Sequence, residues 1–452
     1  MFQKNQLMEV MFEDVTHEGL GVAKPNSFPV FVAGGLPGEV GQIKITKMLK
    51  THGFGRLLKL EKSSVDRVQP VCSVYKQCGG CHLQHLSYQG QLEVKRKIVQ
   101  NALLRIGKLE GVTVQPVIQM DDPWRYRNKV QVPVASVDGE LVTGFYSNRS
   151  HDVVAMDQCM IQIEENDEAV QIVKQICQKY HVAAYDEATH QGVLRHIMVR
   201  YGAATKELML VLVTRVKDFK HKEQVIREIV AALPQLKSFV QNINAKRTNV
   251  ILGEQNEILW GSDTISDCIG DIQFKISPHS FYQVNPVQTE MMYQKVLEFA
   301  KLTGQEFVID AYCGVGTISL FLARQARTVL GIEIVPQAIA DARHNAQLND
   351  IDNVAFVVGA AELVMGKMQE TGERADVVVI DPPRKGCDKE LLAAIVSMAS
   401  DRVVYVSCNP ATLARDLRIL VDGGYSIEEV QPFDMFPMTG SIEVIVQLSR
   451  GN

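Results

Sequence analysis

The sequence predicts a multidomain α/β protein: a small N-terminal β-barrel, a central α+β domain carrying a metal cluster, and a C-terminal Rossmann-like sheet. Three observations lead there. The opening residues break into short alternating runs separated by Gly and Pro, the spacing of a small antiparallel barrel. Three cysteines crowd into residues 72–81. From about residue 274, short apolar runs alternate with helical segments, as in a doubly wound parallel sheet buried on both faces. The expected boundaries are 1–61, 62–272 and 273–452, with no repeat or low-complexity linker between them.

Length and composition bound the reading. The 452 residues suffice for about three domains at ~150 residues each. With 46% hydrophobic and 22% charged residues, the chain is neither disordered nor membrane-embedded in character. No run approaches the ~18 apolar residues of a spanning helix. The start, MFQKNQLMEVMFED, carries acids and lacks a signal-peptide core. These features predict a cytoplasmic protein with no membrane partner, and no obligate protein partner is evident. A cytoplasmic setting keeps thiols reduced, so the nine cysteines point to metal binding or catalysis rather than disulfides.

Net charge is −5, which alone argues against a polyanion partner. Its distribution argues the other way. Residues 1–110 hold 15 Lys and Arg against 9 Asp and Glu, leaving an acidic remainder. A basic N-terminal third suits a separate nucleic-acid-binding module, though solvated surface charge gives the same count.

In that third, MEVMFEDV, the Gly19–Gly21 run and PVFVAGGLPGEVGQIKITKM supply the barrel strands. Lys44, Lys47, Lys50, Arg56 and Lys59 fall on its second half, where they could face phosphates. A helix is expected from Tyr88 to Ile106, with Gly107 as its stop and Leu92, Val99, Leu103 and Ile106 on one face. An apolar strand over 207–214 and a helix over 220–233 follow.

Cys72, Cys78 and Cys81, with Cys159 further on, form a quartet that could wrap a metal centre through thiolates. Zinc and a [4Fe–4S] cluster both accept four thiolates, and the spacing barely separates them. Two stretches could touch RNA. Trp124-Arg125-Tyr126-Arg127-Asn128-Lys129 interleaves rings with cations, and Arg195 to Arg200 places basic groups around a strand. Taken singly, each reads better as a charged strand edge.

In the C-terminal third, FVIDAY, VLGIEI, VAFVVG, DVVVIDPP and VVYVSC are the parallel strands. The first runs into Tyr312-Cys313-Gly314-Val315-Gly316, where glycines let a ligand approach the backbone. Glu333 closes the second strand, placed to accept hydrogen bonds from ribose hydroxyls. Two glycines alone would also suit a dinucleotide dehydrogenase. Asp381-Pro382-Pro383-Arg384 at the end of the fourth strand favours an S-adenosylmethionine-dependent methyltransferase instead.

The fifth strand ends at Cys408, just before a helix start, a reachable position where the helix N-terminus can depress a thiol pKa. Cys313 reads as packing, and Cys387 as a rival nucleophile. Glu443 opens the last apolar strand, where desolvation would suit it to proton removal. A surface strand-start Glu is the simpler reading.

Taken together, these residues resemble the bacterial 23S ribosomal RNA (uracil-5-)-methyltransferase family over essentially the whole chain. The resemblance implies an OB-like TRAM barrel for RNA binding, and it implies [4Fe–4S] ligation by Cys72, Cys78, Cys81 and Cys159. It implies S-adenosyl-L-methionine contacts from Gln283, within Ser280-Phe281-Tyr282-Gln283-Val284-Asn285, and from Tyr312, Glu333 and Asp381. Ser407-Cys408-Asn409-Pro410 matches the nucleophile motif, and Glu443 the carboxylate proposed as base. Many members read Phe-Pro-x-Thr-x-His-x-Glu before the last strand, and here Ser441 takes the His position.

The implied reaction is methylation of uridine carbon 5 in 23S ribosomal RNA through a covalent Cys–uracil intermediate. Two alternatives remain: a transfer-RNA uridine as the target, or a non-catalytic RNA-binding iron–sulfur protein.

Overall fold

The computed structural model describes residues 2–148 and 150–451. The N-terminal strands β1 (Leu7–Val15), β2 (Leu20–Ala23), β3 (Val30–Ala33), β4 (Val40–Met48) and β5 (Gly53–Lys62) close a barrel in the order β1-β2-β3-β5-β4. Alternation drives the closure, because Val10, Phe12, Val30, Val32, Ile43 and Ile45 point inward at every second position. A side chain at Gly35 would collide with the Phe12 ring at 2.6 Å, so only glycine lets the chain close there. Buried Glu39 ties the barrel to the next segment by accepting both arms of Arg67, at 2.6 and 2.7 Å.

The helix α1 (Tyr88–Arg105) is capped by Ser87 and buries Leu92, Val99 and Leu103, as its spacing predicts. Ile106 is half exposed, because the helix has already ended there. The chain after α1 runs along the C-terminal unit: Val114 bridges Val430 and Ile118 bridges Phe433.

A seven-stranded sheet occupies the centre, in the order β12-β11-β10-β9-β6-β7-β8. Its strands are β6 (Lys129–Val137), β7 (Glu140–Tyr146), β8 (Val153–Ala155), β9 (Leu194–Tyr201), β10 (Leu208–Thr214), β11 (Leu236–Ile243) and β12 (Gln255–Gly261). Helices α2 (Glu164–Lys179) and α3 (Lys222–Ala232) belong to the same unit. The fully apolar run of β10 is explained by its two faces. Leu208, Leu210 and Leu212 join the core built with α2 and α3, while Met209, Val211 and Val213 join a core shared with the C-terminal unit. A hairpin, β13 (Ile265–Ile269) and β14 (Ile272–Ile276), follows.

The second seven-stranded sheet runs β17-β16-β15-β18-β19-β21-β20. Its members are β15 (Phe307–Ala311), β16 (Thr328–Glu333), β17 (Val354–Val358), β18 (Val377–Ile380), β19 (Arg402–Ser407), β20 (Tyr425–Phe433) and β21 (Glu443–Arg450). The first five are parallel and β21 is antiparallel to both its neighbours. The helices are α4 (Pro286–Ala300), α5 (Thr317–Ala323), α6 (Pro336–Leu348), α7 (Ala361–Glu370), α8 (Lys389–Met398) and α9 (Pro410–Asp422). Two large apolar cores flank this sheet, so its strands are buried on both faces. Among the described residues no helix is long and apolar enough to cross a membrane.

Candidate active site

Strand order places the site. From β15 the chain steps outward through β16 and β17, then returns to add β18 and β19 on the other side. Ligands of open α/β sheets bind outside the carboxyl ends at such a reversal. A cavity of about 650 Å³ opens there, and Gln283, Tyr312, Glu333, Asp381, Cys408 and Glu443 all line it. Residues separated by up to 160 positions in sequence thus converge on one crevice.

Each is held by its own local geometry. Tyr312 sits at the turn after β15 with φ +90°, a conformation rarely adopted by side-chain-bearing residues. It is held there by its N–H, which donates to the Ile332 carbonyl at 3.0 Å. Gly314 and Gly316 continue the turn at φ +55° and +84°. Glu333 closes β16, and one carboxylate oxygen accepts the Val335 N–H at 2.9 Å. Gln283 lies on a segment stitched to the central unit, since the Asn128 N–H donates to the Val284 carbonyl at 2.9 Å.

Asp310 completes the polar floor and was given no role in the sequence reading. It is fully buried at the end of β15, one oxygen accepting from Ser319 Oγ at 2.5 Å and the other without a partner. Burial pushes its carboxyl up to about 7. Burial and then Asp310 push Asp381 up to about 7 as well. A buried strand-end acid facing the glycine turn was the available signal.

Cys408 is half-buried at the end of β19. Asn409 caps α9 by accepting the Ala411 N–H at 3.0 Å. The expected depression of the thiol is not the net result. Burial, then Glu443 and Asp381, push it up to about 11, with only Arg384 acting the other way among the charged neighbours. Glu443 is no surface residue: it is 6% exposed, and burial and Asp381 raise its carboxyl well above the ordinary range. Cys387 is packed in the neighbouring core, its thiol 3.5 Å from Tyr405 Oη, and does not line the cavity. Cys313 lines it from within the turn but is buried.

The segment leading to Glu443 is clamped from several sides. Lys95 and Asp434 form an ion pair with no solvent exposure at 2.5 Å, and Lys95 Nζ also donates to the Phe436 carbonyl. Tyr126 Oη donates to the Pro437 carbonyl at 3.0 Å, and Gln91 and Met438 bond reciprocally. The backbone N–H groups of His82 and Leu83, next to Cys81, donate to the Met438 carbonyl. Ser441 donates its N–H to Thr439 Oγ1 at 3.2 Å. Phe436 and Glu443 therefore reach the crevice from a strap bonded to α1, to the Cys81 loop and to Tyr126.

The middle of that strap meets the cysteine quartet. Cys72, Cys78, Cys81, Cys159 and Thr439 line a second cavity of about 240 Å³. Burial, with lesser repulsion from neighbouring thiols, pushes Cys81 up to about 12, and burial pushes Cys159 up to about 11. Among the described residues, no three His, Cys, Asp or Glu side chains are gathered as a site for a single ion. Arg127 and Lys129 also line the cavity, and neither has a carboxylate partner among the described residues. The four thiols and these two basic side chains thus share one cavity.

Of the two basic stretches that could touch RNA, Arg195 to Arg200 is buried, whereas Trp124, Arg125, Arg127 and Lys129 are partly exposed. Tyr126 is buried, and Arg125 is spent on Asp167 at 2.8 Å and on the Cys159 and Gln162 carbonyls. Arg195 donates to the carbonyls of Asn244, Lys246 and Thr248, and Arg200 to those of Pro278 and Ser280. These guanidiniums satisfy buried backbone rather than phosphates. The barrel cations differ. Lys47, Lys50, Arg56 and Lys59 are exposed on or beside β4 and β5, and only Lys59 is ion-paired among them, with Glu61.

A sheet of this order, with a carboxylate closing its second strand and Asp-Pro-Pro its fourth, defines an S-adenosylmethionine-dependent methyltransferase. Comparison with known proteins narrows the class. Residues 87–451 match the tRNA (Uracil-5-)-methyltransferase family and residues 2–58 the TRAM domain; the chain belongs to that methyltransferase family. An uncharacterized RNA methyltransferase of Halalkalibacterium halodurans is 56% identical over 449 residues, spanning 99% of this chain and 98% of that one. One from Bacillus cereus is 55% identical over 448 residues, spanning 99% and 97%. The Pyrococcus abyssi tRNA (uracil-54, C5)-methyltransferase, solved with S-adenosyl-L-homocysteine, superposes with a TM-score of 0.79 at 28% identity. That match covers 98% of this chain and 99% of the other. The chain is thus an RNA-modifying enzyme, and the reading as a non-catalytic RNA-binding protein falls away.

Proposed function

We propose that this enzyme methylates carbon 5 of a uridine in 23S ribosomal RNA, with Cys408 as nucleophile and Glu443 as base. The observation that carries the chemistry is the placement of those two residues at adjoining strand ends of the crevice that Gln283, Tyr312, Glu333 and Asp381 also line.

Uracil carbon 5 is too weak a nucleophile to take a methyl group unaided. Addition of the Cys408 thiolate to carbon 6 moves the ring's double-bond electrons toward carbon 5 and oxygen 4. S-adenosylmethionine, when bound, supplies the electrophilic methyl that carbon 5 then takes. Glu443 removes the carbon 5 proton, the ring double bond re-forms, and the sulfur leaves as thiolate. A carboxylate whose proton affinity is raised by burial is suited to that step. The half-buried position of Cys408 requires the base to leave its stack. Exposed cations on the barrel supply phosphate contacts.

The quartet of Cys72, Cys78, Cys81 and Cys159 is proposed to hold a [4Fe–4S] cluster, on the strength of the shared cavity and the unpaired Arg127 and Lys129. The cluster would fasten the loop beside Cys81 to the strap at Met438.

A transfer-RNA uridine is the second reading, favoured by the specificity of the Pyrococcus abyssi enzyme. Transcripts of 23S ribosomal RNA and of transfer RNA, each labelled with tritium at uridine carbon 5, decide between them. Tritium release from the ribosomal transcript alone supports the proposal. Release from transfer RNA alone transfers the assignment.

A further inference from the structure

The reaction begins with a thiolate, yet most of the charged side chains lining the crevice are acids. Asp381 faces Cys408 from the end of β18 and Glu443 from the start of β21, while Asp310 stands beside Asp381 at the end of β15. From α4, Tyr293 is a phenol held protonated by burial, its hydroxyl 3.0 Å from Thr317 Oγ1. An anion on sulfur in this company needs a cation. Lys385 points to Asp388, 3.3 Å away, and is thereby engaged. Arg384 is not. It lines the crevice, and its guanidinium has no hydrogen-bond or carboxylate partner among the described residues.

Its backbone is fixed to the loop that carries the nucleophile. The Arg384 carbonyl accepts from Asn409 Nδ2 at 3.0 Å and from Thr412 Oγ1 at 3.3 Å. Asn409 directly follows Cys408 and caps α9 through Oδ1, so one side chain joins the Arg384 backbone to the nucleophile's loop and to the helix start.

We propose that Arg384 is the positioning cation that favours the Cys408 thiolate, balancing Asp381 and Glu443 at the moment of attack. This rests on the nucleophile assignment above and adds its activation. No proton passes through Arg384. The thiol proton leaves to solvent or to a neighbouring carboxylate, and the guanidinium stays charged throughout.

The test measures alkylation of Cys408 by iodoacetamide, a neutral reagent, across pH in the full-length protein. Peptide mass spectrometry resolves Cys408 from the other eight cysteines. Loss of one nearby opposite charge moves a pKa by roughly one unit or more. Arg384→Gln should therefore shift the Cys408 midpoint upward by about one pH unit, with roughly ten-fold less alkylation at pH 8. Arg384→Lys should recover most of the loss, and S-adenosylhomocysteine binding should remain within about two-fold, as expected for an electrostatic rather than a structural role.

Glu443→Gln, which removes a carboxyl that opposes the thiolate once it is ionised, should move the midpoint down. If Glu443→Gln shifts the midpoint while Arg384→Gln leaves it in place, the inference is overturned. Failure of the nucleophile assignment would look different: Cys408→Ala would still methylate RNA, whatever the alkylation profile.

Discussion

Cys408 and Glu443 stand opposite each other one step beyond the Ser407–Val444 pair, at the end of the antiparallel β19–β21 ladder. Thirty-five residues apart in sequence, they are set side by side by strand register. Register is a stiff constraint, because a one-residue slip would turn Glu443 to the other face of a strand buried on both sides. The antiparallel β21 is therefore more than a lid on the parallel sheet. It delivers the Glu443 carboxyl to the crevice from the side opposite the acids at the ends of β15 and β18.

Glu333 tests the cofactor side. Its carboxylate closes β16 at the crevice, already accepting the Val335 N–H. Glu333→Ala should weaken S-adenosylhomocysteine binding by about 1.5–3 kcal/mol, the range for charge-assisted hydrogen bonds, or roughly ten- to a hundred-fold by calorimetry. Unchanged affinity would remove Glu333 from the binding set.

How much of this was legible beforehand varies with the physics involved. Parallel strands such as Val377–Ile380 are buried on both faces, so their apolar runs announced themselves, and the residues at their carboxyl ends inherited a position. Glu443 was harder. Its burial depends on neighbours β19 and β20, which periodicity does not report. The basic stretches were equally hard to place for a related reason. Arg125, Arg195 and Arg200 look like surface cations until the carbonyls they satisfy are seen, and those lie up to 80 positions away. In the sequence Arg384 is only the last residue of Asp-Pro-Pro-Arg, because its meaning lies in the acids around it.

The proposed iron–sulfur cluster has a compositional test. Protein purified without oxygen should be brown and carry about four iron and four sulfide per chain. Cys159→Ser should abolish the colour, even though Cys159 lies far along the chain from the other three. It should also raise hydrogen exchange at His82 and Leu83, whose amides hold the Met438 carbonyl. Stoichiometric zinc with no sulfide would reject the cluster.

Acid–base balance in the crevice predicts a pH trend in stability. Asp310 carries a folded-state pKa of about 7, above its ordinary range, because it is buried. The folded protein thus binds a proton that the unfolded chain has released between about pH 4 and 7. That contribution is present at low pH and is lost as pH rises through about 7. Asp381 shifts in the same direction. Ligand-free enzyme should lose melting temperature from pH 5 to 8, and Asp310→Asn should lose less. Groups such as Glu39, held below their usual range, act with the opposite sign, so the informative quantity is the difference between the two proteins. Parallel curves would show that Asp310 is already ionised in the fold.

The strongest test separates the two catalytic roles by what each variant leaves behind. Cys408→Ala removes the attacking sulfur and nothing else in the crevice, so it should bind S-adenosylhomocysteine and RNA normally while methylation falls to background. Glu443→Gln keeps the sulfur but loses the acceptor for the carbon 5 proton. Addition and methyl transfer precede that loss, so the variant should stall with Cys408 joined to carbon 6 of a methylated uridine. The adduct would run as a slow species on a denaturing gel and carry label from the methyl donor. It should be absent from the Cys408→Ala, Glu443→Gln double variant. Turnover by Cys408→Ala would end the nucleophile assignment. It would not pass the role to Cys387, which is sealed in the core against Tyr405 and does not line the crevice. An adduct in Glu443→Gln that is released as fast as in the wild type would show that another group takes the proton. Water at the crevice mouth would then be the base, with Glu443 left to orient it.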